Sequence, residues 1–209
     1  MNLGAAAEER SDLAEANRLL VESLQHYRDV GDKWGRATVL TWLGEVERDQ
    51  GDYDAARSYY DEALDLSRQV AIPSGTAVSL SNLGAVSLHR GNYMEAAALF
   101  REALGISRRL RDKRNITGMV TGMGGAAVAA GEPERAARLL GAAEGLADAS
   151  GILIPKADRI EHERHVASAR RALTKGTFAS AWAEGRAMTL DQAIEYALAA
   201  NETDGSQLK

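Results

Sequence analysis

Glu161-His162-Glu163-Arg164-His165 is the stretch whose side chains are best suited to chemistry. Imidazoles three residues apart share a helix face, where a pair can hold a metal. A zinc-protease helix instead needs its histidines four apart with a glutamate between them. A catalytic zinc also needs a third protein ligand, and no spacing in the chain supplies one. The pentapeptide is therefore read as a solvated helix face holding no metal. Gly122-Met123-Gly124-Gly125 has the glycine content of a phosphate loop. No strand pattern precedes it and no Gly-Lys-Ser/Thr follows, so a nucleotide site is not expected. Asp29-Val30-Gly31-Asp32 lacks both the spacing and the closing glutamate of a calcium loop. Spacing suggests no Ser/His/Asp grouping. The absence of cysteine excludes disulfides, thiolate metal sites and thiol nucleophiles. The expectation is a chain with no catalytic residues and no cofactor.

Composition narrows the class further. The 209 residues are 45% hydrophobic and 26% charged, as in ordinary folded domains, and fit one domain or a short solenoid. A net charge of −5 without a basic stripe argues against direct nucleic-acid binding. No apolar run is long enough to span a bilayer and no signal peptide opens the chain, so a cytoplasmic location follows by default.

The elements that must carry these residues repeat. Leu43-Gly44 is followed by Gly51-Asp52-Tyr53, Ala56, Tyr60 and Ala63-Leu64. Leu83-Gly84 is followed by Gly91-Asn92-Tyr93, Ala96, Phe100 and Ala103-Leu104. Met123-Gly124 leads to Gly131-Glu132-Pro133, Ala136, Leu140 and Ala143, and Leu3-Gly4 leads to Ser11-Asp12-Leu13, Ala16, Leu20 and Ser23-Leu24. The marker glycines 4, 44, 84 and 124 are each 40 residues apart. Tyr53, Ala56, Tyr60, Ala63 and Leu64 fall on one helix face, after a glycine that can end the preceding helix. Each unit is then a helix pair in which a small residue lets the helices approach. Tyr60, Phe100 and Leu140 fill the space between units. One such hairpin cannot bury its apolar faces, whereas a stack of them can.

Leu-Gly, Gly-x-Tyr and Ala-x3-Phe/Tyr-x2-Ala in one register resemble the tetratricopeptide repeat. The resemblance covers roughly residues 1–150. It departs from that family's period of about 34 residues, and the family's late proline is absent apart from Pro73 in one linker. The additional residues lie between units, as in the repeats of bacterial signalling ATPases and LuxR-type or MalT-like regulators. The resemblance implies an all-α, right-handed superhelix of antiparallel helix pairs. It also implies a protein- or peptide-binding module of a larger regulator, with an oligomerisation scaffold as the alternative. In such folds the first helices line a concave groove. Carried onto this chain, that wall is Thr38, Thr41, Trp42, Glu45, Arg48 and Asp49 in unit two. Unit three adds Val78, Ser81, Asn82, Ala85, Leu88 and His89, and unit four adds Thr121, Gly125 and Val128. The Lys-and-Asn set that grips a terminal carboxylate in some relatives is not reproduced; only Asn82 fits it.

The chain in order predicts helices over 12–29, 35–50, 53–70, 75–90, 93–110, 115–130 and 133–148, so that 1–150 holds four units, the first truncated. Leu3-Gly4, which should sit inside a helix, has only two residues before it, so the chain reads as a fragment of a longer protein. Gly118, Gly122, Gly124 and Gly125 in one helix admit two readings: bulky neighbours pressing on it, or a yielding element that orders on binding. Beyond Gly151 the register breaks. Helices over 157–173, from Phe178, and after the capping box Thr189-Leu190-Asp191-Gln192 are expected to close the solenoid over 151–200, with a polar tail over 201–209. Arg138-Leu139-Leu140-Gly141-Ala142-Ala143-Glu144 and the run from Ala181-Trp182 to Gln192-Ala193 resemble the C-terminal end of the same bacterial regulators. Trp34 and Trp182 are expected in packing between units, while Trp42 is left open between packing and the groove.

Overall fold

The computed structural model describes residues 3–152 and 156–199. Among them are ten helices and no strand. These are α1 (Leu3–Asp29), α2 (Lys33–Gln50), α3 (Tyr53–Gln69), α4 (Pro73–His89), α5 (Tyr93–Leu110), α6 (Lys113–Ala129), α7 (Pro133–Ser150), α8 (Lys156–Ala172), α9 (Lys175–Arg186) and α10 (Leu190–Leu198). The tail at 201–209 lies outside the described residues.

Local chemistry explains the boundaries. Gly51 ends α2 with φ 86°, and Asp52 then caps α3 by accepting from the Ala55 amide. Asp32 and Asp112 cap α2 and α6 in the same way. Pro73 and Pro133 occupy first turns, where the missing N–H is no loss. The linkers after α3 and α5 lack glycine, so Ala71 and Arg111 take the left-handed conformation instead, with φ 53° and 54°. That strain is about 1–2 kcal/mol each.

The helices pair as α2/α3, α4/α5 and α6/α7, and successive pairs stack. Ring-on-glycine contacts set the spacing. Tyr60 lies flat on Gly44, where an added Cβ would come within 2.4 Å of the ring. Phe100 lies between Gly84 of its own pair and Gly122 of the next, so one side chain ties two units together. Leu140 presses on Gly124, while Leu88 and His165 press on Gly125. Three of the four glycines of α6 are thus occupied by bulky neighbours, and only Gly118 faces open space.

Two ends depart from the regular plan. At the first, the turn expected at Ser11-Asp12 is not made, and α1 runs straight from Leu3 to Asp29. No glycine stands where the other units have one, and Ala5-Ala6-Ala7-Glu8-Glu9-Arg10 are strong helix formers. At the second end, the contacts that a following first helix would make are divided between two helices. α8 packs on α7 and α6, and α9 packs along α7. The α7–α9 approach is backbone to backbone. A Cβ on Gly185 would meet the Arg138 carbonyl oxygen at 2.0 Å, and one on Gly141 the Trp182 carbonyl oxygen at 2.6 Å. α10 starts at the anticipated capping box of Thr189 and Gln192 and buries Ala193, Ile194 and Ala197 in the main core.

Candidate functional site

The inner sides of α2, α4 and α6 form one wall, and its chemistry divides into an open half and a covered half. The open half follows from the spacing of Trp34, Thr38, Thr41 and Glu45, at offsets of 4, 7 and 11, which form a single stripe along α2. Trp42 flanks that stripe. With Ile72, Ser74, Gly75 and Val78 from the linker and α4, it bounds a cavity of about 270 Å³. Thr38 and Thr41 donate their hydroxyls to the carbonyls of Trp34 and Ala37. They therefore offer a partner mainly methyl surface. Trp34 is 61% exposed and Trp42 is 50% exposed. The expectation that Trp34 packs between units is corrected: the linker ends one residue before α2, and its ring projects outward from the first turn. Trp182 does pack, half-buried and stacked on Phe178 at 5.5 Å.

The covered half is occupied by α8. Successive turns of this helix reach successive units. Asp158 lies 3.8 Å from Arg48 of α2, and Glu161 lies 3.7 Å from His89 of α4. His165 sits over Gly125 of α6. The second face of His89 stacks on Tyr53 with ring centroids 4.6 Å apart. Leu88, His89, Gly125 and Val128 therefore line a smaller cavity of about 190 Å³ beneath Glu161, Arg164 and His165. The expectation of a solvated Glu161–His165 face is likewise corrected. His162 is buried against Glu144 and Trp182, and His165 is half-buried. The reason is the placement of α8, which sets His165 over α6 and His162 against α7 and α9, and which the polar composition of that helix disguises. Ser81, Asn82, Ala85 and Thr121 are half-buried and line neither cavity.

At the junction of the two halves, Glu45 and Arg48 are half-buried while Asp49 and Asp158 lie at the surface. Arg48 is held by Asp49 at 3.1 Å and faces Asp158 and Glu45. Burial raises the carboxyl pKa of Glu45 and of Asp158, against the opposing pull of Arg48. Tyr60 is wholly buried beneath this group, and its phenol is pushed above its ordinary range by burial. Burial also lowers His89, His162 and His165 below the usual imidazole range, against the pull of Glu161 or Glu144. The described residues contain no group of three His, Cys, Asp or Glu side chains arranged to hold a metal ion.

Spacing alone missed α8 as part of this wall, because Arg48 and Asp158 are 110 positions apart. It missed Trp34 despite an available signal, the 4-7-11 stripe that begins there.

Tandem antiparallel helix pairs with a shared inner wall define the helical-repeat solenoids. The tetratricopeptide repeat profile matches residues 1–69 and, in a second register, 35–109. The chain belongs to the tetratricopeptide repeat family, whose members mediate protein–protein interaction. No curated protein matches the chain. No helix among the described residues is long and apolar enough to cross a membrane.

Proposed function

We propose that this chain is the interaction part of a larger bacterial signalling or transcriptional regulator. A protein or peptide partner would lie in its concave groove and control an effector domain elsewhere in the parent protein. The observation that carries the reading is the open half of the groove. Two exposed tryptophans, threonine methyl groups and Val78 surround a cavity on the wall that this family uses for partners. Aromatic side chains in such positions are common binding anchors. The regulator context is supported by the resemblance at residues 138–144 and 181–193. A gene encoding a P-loop ATPase segment and a helix-turn-helix in the same protein would bear it out, and a parent protein with neither would remove it.

The groove is tested by placing a photo-crosslinking side chain at Thr38 and, in a second protein, at the outer position Glu102. Partner capture from Thr38 alone is expected. Equal capture from both positions would move the binding surface off the groove. A second reading, self-association, is favoured by Leu19 and Val21 of α1, which are about half exposed at the first end of the stack. Sedimentation of the purified chain with and without Leu19→Glu decides it: a dimer abolished by the substitution supports the scaffold.

A further inference from the structure

We propose that the open half of the groove takes a basic helix, one of whose lysine or arginine side chains lies along Trp42 and ends beside Glu45. This rests on the groove reading above and adds the chemistry of the partner. The helical form of the occupant follows from what the same wall already holds. α8 is a helix, and its Asp158, Glu161 and His165 engage α2, α4 and α6 in turn. The described residues offer no sheet edge to which an extended strand could add.

The sign of the partner's charge follows from the junction beneath the cavity. Three carboxylates, Glu45, Asp49 and Asp158, surround a single guanidinium, Arg48. Asp49 and Asp158 already engage that guanidinium, so an acidic partner would meet Glu45 beside a cation that is already paired. A second observation is independent of the charge count. The Tyr60 ring crosses α2 at Gly44 and carries its hydroxyl toward Glu45 and Arg48. The residue is fully buried, and its hydroxyl makes no hydrogen bond among the described residues. A buried polar atom without a partner is uncommon, and the Tyr60 oxygen, wholly buried beneath the carboxylates, adds its electronegative end to the acceptors that make this spot attractive to a cation. The walls suit the stem of such a side chain, since Trp42 presents an indole face and Thr41 and Val78 present methyl groups.

The test uses the full chain and two fluorescein-labelled model helices with the same leucine and alanine face. One carries lysine at its remaining positions and the other carries glutamate. Fluorescence anisotropy should show the lysine helix binding at least roughly ten-fold tighter than the glutamate helix, with the preference shrinking as salt rises. Glu45→Gln should remove most of that preference. Glu102→Gln, which changes the net charge equally from the outer side, should not, and thermal melts confirm that both variants fold. Equal affinities, a preference for the glutamate helix, or equal losses in the two variants would overturn the basic-partner inference. In those cases the groove itself still stands if Trp42→Ala weakens binding. Binding of neither helix, or binding indifferent to Trp42→Ala, would overturn the groove reading and this inference together.

Discussion

At the scale of single residues, space beside the helix backbone decides what a substitution does. Gly118 and Gly122 lie in the same helix, one turn apart, yet a Cβ on Gly118 meets nothing within 4 Å while one on Gly122 comes within 2.3 Å of the Phe100 ring. Helix propensity favours alanine over glycine by about 1 kcal/mol, so Gly118→Ala should raise the melting temperature by a few degrees. At Gly122 the same gain is outweighed by overpacking of about 1–3 kcal/mol, and Gly122→Ala should lower it. Differential scanning calorimetry on the pair would show the opposite signs; equal signs would mean that propensity alone governs α6. The histidines give a pH dependence. In the folded chain His89, His162 and His165 are held below the imidazole range, chiefly by burial. As pH falls through the ordinary range near 6.5, the unfolded chain takes up protons that the folded chain refuses. Stability is therefore full above that range and is lost as pH falls toward the folded values. Glu45 and Asp158 shift upward, so as pH falls the folded chain takes up their protons from above the ordinary carboxylate range, and this acts in the opposite sense. Melting temperatures should fall from pH 7.5 to about 5.5, and His165→Gln should flatten the slope.

At the scale of elements, the α7–α9 contact is less forgiving than any ring-on-glycine contact. Phe100 can rotate away from an intruding methyl group, but the Arg138 carbonyl opposite Gly185 cannot. Gly185→Ala should therefore destabilise by about 3 kcal/mol and should open the end of the chain first. Limited proteolysis between α8 and α10 would report that opening; unchanged cleavage would show that α9 can slide. Outside α1, the helix boundaries were legible in the sequence to within two or three residues, because glycines, aspartate caps and prolines act locally. The expected 35–50 and 53–70 became Lys33–Gln50 and Tyr53–Gln69. What was not legible depended on distant partners or on a missing signal. α1 lacks the glycine that marks a turn, and repeat register alone could not supply one. α8 is so polar that its burial against the groove follows only from where Asp158, Glu161 and His165 meet other units. Thr41, Trp42, Glu45 and Val78 could be assigned to the open wall from repeat positions, whereas the cover over Leu88 and His89 could not.

At the scale of the molecule, α8 to α10 cover apolar surface of the last pair. α7 buries Leu139, Leu140 and Leu146, and Phe178, Ala181, Ala193 and Ile194 join the same core from the closing helices. Ending the chain after Gly151 should expose that face and produce aggregates visible by light scattering; a monomer melting at the original temperature would show that the closing helices are dispensable. The division of labour between α8 and α9 also bears on how such a chain could lengthen by gene duplication. The inner pairs obey a 40-residue period and accept a neighbour on either side. A second copy of residues 33–72, placed after the first, would keep its own Tyr60-on-Gly44 contact and would set Ser67 against its Gly35, as Ser67 now stands against Gly75. The last pair has no such freedom, because Gly141 and Gly145 shape it for α9 alone. Duplication is thus easier among the inner pairs, where a new unit meets surfaces that already fit, than at α7, whose close approach to α9 would have to be remade.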